Sequence, residues 1–382
     1  MRSVKVYLDN AATTRPDPAV IAVMTETLEK TYGNPSSTHA FGIEARALIE
    51  KARKSIASLL HVSPAEIFFT SGGTEANNTA LFCSVRDLGI KHIITSRIEH
   101  HAVLHTVEEL GKNDGVEVSY VKLLPNGHVD LEDLEHLLAT HEKSLVSLMH
   151  ANNEISNILP LEKVSQLCEQ YQALFHSDTV QTMGHYPLHL QETKVDFVSC
   201  AGHKFHGPKG IGFLYINSKS RIRPFIFGGA QERNMRGGTE NIYGIVGLAK
   251  AFELAHADME IHHAHIQELK TYMIQQLRMH IPAVAFNGDA ENQSLYTVLN
   301  VSLPETDMAE MLLFKLDIEG IAASGGSACS SGTSIGSHVL KAIQVNPQRP
   351  SVRFSFSKYN SKEDIDFCIE KLKEIYKSKV LV

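Results

Sequence analysis

The sequence predicts an α/β protein: a mostly parallel, doubly wound sheet with a second, smaller domain. Three observations point there. Short apolar segments alternate with amphipathic helical ones over most of the chain. Those short segments are rich in Val, Ile and Phe, as in strands covered on both faces. Beyond about residue 258 the pattern changes to long helices and widely spaced strands.

Taken in order, Pro18–Lys30 reads as a helix that stops near Gly33-Asn34-Pro35. Glu44–Leu60 has the period of a longer amphipathic helix. Glu66–Thr70 follows as a buried strand and Thr74–Leu88 as a helix. Further strands are expected at Lys91–Thr95, Val116–Lys122, Ser144–His150, Leu174–Asp178 and Asp196–Ala201. Helices are expected between them at His101–Gly111, Asp130–Thr140 and Leu161–Gln172. Asn241–Met279 is helical in pattern with a break near Ala257-Asp258. Strands at Ser294–Val301 and Ser351–Ser355 and helices at Met308–Leu316 and Glu363–Tyr376 complete the chain. We therefore expect a large domain at residues 15–257, and a small domain made of residues 1–14 and 258–382.

The 382 residues suit two domains. Composition is ordinary for a globular chain, 43% hydrophobic and 21% charged, which excludes disordered and collagen-like classes. A net charge of −7 gives no general attraction to nucleic acid or to an anionic membrane. No apolar run reaches the ~18 residues of a membrane span. Met1 to Asp9 meets an acid before a leader-like apolar stretch could form. A soluble, cytoplasmic protein with no nucleic-acid or membrane partner is expected. The five cysteines, at 83, 168, 200, 329 and 368, form no CxxC pair, so neither a disulfide framework nor a cysteine zinc site is expected. The 21 histidines raise the question of a metal. Adjacent His100 and His101 cannot easily face one site, and His262, His263 and His265 read as a solvated helix face. No metal is expected.

Five segments could carry chemistry. At Thr70-Ser71-Gly72-Gly73-Thr74-Glu75 a strand turns through two glycines into a helix, whose free N–H groups suit a phosphate. An ordinary turn with Thr74 as N-cap fits the same residues. Lys204 follows a buried strand between His203 and Phe205, where a lysine can form a Schiff base with an aldehyde cofactor. A surface loop with basic residues is the alternative. Asp178 ends a strand at the sheet edge where α/β proteins bind ligands; it could pair with a pyridinium nitrogen or cap a helix. His100 also follows a strand and could stack on a cofactor or move protons. Between Ser324 and Ser337 the only large apolar residue is Ile335, so a mobile loop is expected there, carrying Cys329 as a reachable thiol or as a plain surface cysteine.

Together these residues resemble the cysteine desulfurases, the NifS/IscS-like group of class V pyridoxal-phosphate (PLP) enzymes. The resemblance runs nearly end to end. It covers Tyr7-Leu-Asp-Asn-Ala-Ala-Thr-Thr14, Gly33-Asn-Pro-Ser-Ser-Thr-His39, Phe69-Thr-Ser-Gly-Gly-Thr-Glu-Ala-Asn-Asn78, Glu99-His100, Ala151-Asn-Asn-Glu154, the segment at Lys204, Arg236-Gly-Gly-Thr-Glu-Asn241, Gly326-Ser-Ala-Cys329 and Val352-Arg-Phe-Ser355. It implies the aspartate-aminotransferase-like fold type I.

By the same resemblance Lys204 would carry PLP and Asp178 would keep the pyridine nitrogen protonated. Gln181 would contact the phenolate oxygen and His100 would stack on the ring. Gly73, Thr74 and His203 would hold the phosphate, with Thr239 reaching across from the other subunit of a homodimer. Asn153 and Arg353 would bind the substrate carboxylate, Asn153 also touching the cofactor. Cys329 would take sulfur from L-cysteine, leaving L-alanine and a persulfide for acceptors such as an iron–sulfur scaffold. Many relatives have serine where this chain has Ala201, which removes one phosphate contact. A selenocysteine lyase, a cysteine sulfinate desulfinase, another class V enzyme, or a non-catalytic scaffold of the same fold are the rival readings.

Overall fold

The computed structural model describes residues 6–306, 309–325 and 336–377. Its strands are β1 (Val6–Tyr7), β2 (Ile67–Thr70), β3 (His92–Thr95), β4 (Glu117–Tyr120), β5 (Ser144–Ser147), β6 (Leu174–Asp178), β7 (Phe197–Ala201), β8 (Gly212–Ile216), β9 (Ala285–Phe286), β10 (Val298–Ser302), β11 (Ile321–Ala322) and β12 (Ser351–Ser355). Seven of them form one sheet in the order β2-β8-β7-β6-β5-β3-β4. β4, β3, β5, β6 and β7 run parallel, and β8 lies antiparallel between β2 and β7. This is the α/β architecture expected from the alternating pattern.

β8 was absent from the expected strands. Its apolar run Gly212-Phe-Leu-Tyr-Ile216 has no alternation, and it follows directly on the Gly-Pro turn after Lys204. Gly212 lies against β7 so closely that a Cβ there would meet the Cys200 carbonyl oxygen at 2.1 Å. The inner strands are wholly buried, whereas edge strand β4 is half exposed.

Helices cover both faces. Asp17 caps Pro18–Lys30, and Asp130 caps Leu131–Thr140 by accepting from the Glu132 and Asp133 amides. The longer helix begins at Ala40 and ends at Leu59, and its buried face is Ala45, Ile49, Ala52 and Ile56. That face joins the main core, where Phe175, Phe213 and Phe252 are also buried. The helical stretch breaks at Asp258 into Ile242–Ala257 and Met259–His280. Beyond it lies a second core of Leu269, Met273, Leu299, Val301, Phe354 and Leu372, joined by Val6 and Leu8 from the start of the chain. β12 and β9 flank β10 antiparallel, and β1 pairs with β11 in parallel. The expected strand at 294–301 is shifted to β10, because Ser294 and Leu295 bond back to residues 290 and 156 instead of to a ladder.

His262, His263 and His265 are not a solvated face. All three are half-buried; His263 packs edge-on to Tyr296 at 4.4 Å and His265 donates to the Asn360 carbonyl at 3.0 Å. Among the described residues no helix is long and apolar enough to cross a membrane.

Candidate active site

The C-terminal ends of the parallel strands, the N-terminal segment and β12 enclose a cavity of about 270 Å³. Gly73, Thr74, His100, Asn153, Asp178, Gln181, His203, Lys204 and Arg353 all line it. Each arrives by a short path. β2 turns through Gly72, at φ +151°, into the helix Gly73–Leu88. Gly72 is the cap and no side chain caps this helix, so the reading of Thr74 as N-cap is overturned. A Cβ on Gly73 would lie 2.7 Å from the Val180 methyl, so only glycine leaves the amides open there. β6 ends on Asp178, and β7 runs into the short turn Gly202–Lys204.

Lys204 Nζ donates to the carbonyls of Ala11 and Ala12 at 2.7 and 2.8 Å. Gln181 Nε2 donates to the Ala11 carbonyl at 3.1 Å. His203 Nδ1 meets the Thr13 hydroxyl at 3.2 Å. Arg353 is buried; Nη1 donates to the Asn153 carbonyl and Nη2 to Asp9, each at 2.9 Å. Its Nε is buried without a partner, a donor left over in the cavity wall.

Burial sets the protonation states. It holds the His100 imidazole below its ordinary range against the pull of Asp178, and drives His203 and His101 down to about 4, helped by Lys204 and His338 respectively. The same loss of water raises the carboxyls of Glu99 and Glu154. Neutral His100 accepts the Ala102 amide at Nδ1, so its proton sits on Nε2. It therefore faces the cavity as a hydrogen-bond donor.

One expectation needs correction. His101 lines the cavity beside His100, because His100 is the cap and His101 the first residue of the helix His101–Asn113. His338 completes this wall: its Nε2 donates to the Glu99 carbonyl at 2.9 Å, and its Nδ1 accepts from His101 Nε2 at 3.0 Å. Thr239 does not line the cavity of its own chain and is exposed. It sits just beyond Glu232, Arg233 and Asn234, three consecutive residues with φ between 45° and 65°. A buried two-pronged pair, Arg53 to Glu232 at 2.8 Å on both prongs, fixes that turn. Cys329 lies outside the described residues. Both ends of its segment are pinned to the cavity wall: Ser324 donates to Asp9 at 2.8 Å, and Ser337 to Glu154 at 2.5 Å.

A family model described as aminotransferase class-V matches residues 6–367. The chain belongs to the class-V aminotransferase family. Within the class-V group it is 43% identical over 378 residues to a cysteine desulfurase IscS of Dictyoglomus turgidum, covering 97% of this chain and 94% of that one. A solved NifS-like protein superposes with a TM-score of 0.90 at 39% identity, over 97% of this chain and 99% of that one. A protein solved as "SspA in complex with cysteine" superposes with a TM-score of 0.79 at 30% identity, over 94% and 100%.

Class-V enzymes depend on PLP, and the cavity fits that group. It offers an uncapped helix N-terminus for a phosphate, a lysine for an aldehyde, and a carboxylate for a ring nitrogen. One further class-V cavity residue escaped the sequence reading. Asn77 donates to Asp178 Oδ2 at 2.6 Å and accepts from His176 Nε2 at 3.1 Å, wholly buried. Its sequence signals are its place one turn into the helix that begins at Gly73 and inside the Phe69–Asn78 segment that carries the resemblance.

Proposed function

We propose that this protein is a PLP-dependent cysteine desulfurase that moves sulfur from L-cysteine to Cys329 and releases L-alanine. One observation carries the reading. Lys204, Asp178, Gln181, His100 and an uncapped helix meet Arg353 in one cavity, and both ends of the Cys329 segment are tied to its wall. Bound PLP would supply an electron sink for charge developing on the substrate. The chain's own residues do the rest. Lys204 anchors the cofactor, and its Nζ is the group placed to take and return the substrate's α-proton. Asp178 and Gln181 fix the ring, Asp178 holding a proton on its nitrogen. His100 donates from Nε2. Gly73, Thr74 and His203 hold the phosphate. Arg353, with Asn153, orients the substrate carboxylate through its fork.

The overall exchange balances without an outside oxidant. The substrate C–S bond breaks, an S–S bond to Cys329 forms, and the electron pair leaving sulfur stays on the carbon that becomes the alanine methyl. Cys329 is also the cysteine suited to the task. The four described cysteines are free and buried, and burial raises their thiols, to about 11 for Cys83. Free buried thiols also suit a reducing cytoplasm. We assign exposed Thr239 to the phosphate site of a partner subunit in a homodimer, and the persulfide to acceptor proteins such as an iron–sulfur scaffold. The large domain spans residues 15–257 in this reading, and the small domain brings Arg353 and Cys329.

The test is direct. Enzyme loaded with PLP should form alanine from cysteine and, when a thiol reductant is supplied, release sulfide; without the reductant, intact-mass analysis should find one added sulfur atom, mapped to Cys329. Cys329→Ser should keep its PLP and lose sulfide release. Sulfur on another cysteine, or sulfide release by Cys329→Ser at the native rate, overturns the proposal.

A further inference from the structure

The ends of the strands away from the cavity hold a second cluster. His92 opens β3, Glu117 opens β4, and His141 follows the helix Leu131–Thr140. His92 and Glu117 are register partners, and one ligand atom from each of the three residues lies within 4.8 Å of the others. We propose that His92, Glu117 and His141 bind one divalent transition-metal ion of the Zn²⁺ type, which staples that helix to edge strand β4.

The hydrogen bonds fix which nitrogens are available. His141 Nδ1 faces the Leu137 carbonyl at 2.9 Å, and a carbonyl only accepts, so the proton is on Nδ1. The Thr140 hydroxyl, which donates to the His136 carbonyl, also receives that proton at 2.9 Å. That turns Nε2 of His141 toward Glu117, 3.2 Å from a carboxylate oxygen. A proton on Nε2 joins that pair as a His–Glu ion pair, and a divalent metal ion can take the proton's place. His92 repeats the pattern. Ser144 donates to the His141 carbonyl at 3.4 Å and so receives the His92 Nδ1 proton at 3.0 Å. That leaves a lone pair at His92 Nε2, met by the Ser119 hydroxyl at 2.8 Å.

A backbone carbonyl or hydroxyl on Nδ1 that turns Nε2 outward is the usual outer shell of a metal-binding histidine. Two imidazoles and a carboxylate suit Zn²⁺ and its neighbours, not Mg²⁺ or Ca²⁺. The two rings are stacked 3.9 Å apart and need only fan open, for which the part-exposed His141 and the 62% exposed Glu117 leave room and water access. The cluster is remote from the cavity, whose residues follow the opposite ends of the strands, so its role is to hold structure.

The experiment titrates PLP-loaded protein in thiol-free buffer with Zn²⁺ by calorimetry, and with Co²⁺ by visible absorption. A Cys329→Ser background removes the reactive thiol as a ligand. His141→Ala should lose one equivalent of metal or bind it at least tenfold more weakly. Glu117→Gln, at an exposed position that cannot compromise folding, should weaken the same equivalent. In the otherwise native enzyme, His141→Ala should turn over cysteine at the unaltered rate in metal-free buffer. Equal stoichiometry and affinity in the parent and in both variants overturns the site.

Discussion

Replacing Asn77 by alanine probes how the proposed cofactor acid is held. Asp178 is buried, and Asn77 Nδ2 donates to it at 2.6 Å. Behind Asn77, His176 Nε2 donates to Asn77 Oδ1 at 3.1 Å while its Nδ1 accepts from the Ser147 hydroxyl at 2.8 Å. Burial drives His176 down to about 4, so the imidazole stays neutral and this one-way chain of donors ends on the carboxylate. A hydrogen bond to a charged group is worth about 1.5–3 kcal/mol, roughly 10–150-fold in a rate that depends on it. Asn77→Ala should therefore lower kcat for alanine formation by that factor, leave KM for cysteine within about twofold, and retain PLP. Asn77→Asp keeps the shape but sets a second carboxylate against Asp178, and should cost more than Asn77→Ala. The assay is steady-state alanine production, with PLP content measured on the same samples. A kcat within twofold of the native value in Asn77→Ala, at full PLP content, would refute the reasoning.

Arg353→Leu should raise KM for cysteine by about 2–3 kcal/mol of lost carboxylate contact with PLP still bound, and Arg353→Lys should fall between; an unchanged KM counts against the assignment. Acid should destabilise the fold through three buried histidines. Burial lowers His150, His176 and His185 from 6.5 to about 4. Between those values the unfolded chain binds protons that the native one does not, so stability rises with pH across the window and is lost as pH falls through it. At about 1.4 kcal/mol per pH unit, each histidine contributes up to roughly 3 kcal/mol by pH 4. Urea midpoints at pH 7, 5.5 and 4.5 should fall in order, and a flat series would show that these imidazoles protonate within the native state.

The sheet was legible where local pattern and tertiary role agree. β6 runs from Leu174 to Asp178 as the sequence reading has it, because an apolar run buried on both faces ends in an acid that the sheet edge can hydrate or pair. β8 was hidden because a glycine opens it and its lone antiparallel direction leaves no local trace. β1 and β11 have two residues each and exist only through their mutual pairing across most of the chain, which no window can detect. Among the site residues, Lys204, Asp178 and His100 were marked by following strands. His101 and His338 were not: they meet across 237 positions, and their pairing rests on a tautomer fixed by the Glu99 carbonyl. Arg353 sits in mid-strand, where alternation alone reads as packing; its role shows only once Asp9 and Asn153 are seen at its two ends.

The anchoring of the Cys329 segment limits how sulfur can leave. Ser324 exchanges backbone hydrogen bonds with Arg353, and its hydroxyl donates to Asp9, which also binds Arg353, so this end is tied to Arg353 twice over. The other end is held by Ser337, which donates to Glu154 and caps the helix His338–Ala342. An extended chain spans at most ~3.3–3.6 Å per residue, so five steps from Ser324 limit the reach of Cys329 to roughly 18 Å. An acceptor of the kind proposed above would have to dock near Ser324 and Ser337, the anchored ends of the segment. Burial holds His101 near 4, so near neutrality its imidazole is not a cation that would pair with the proposed persulfide.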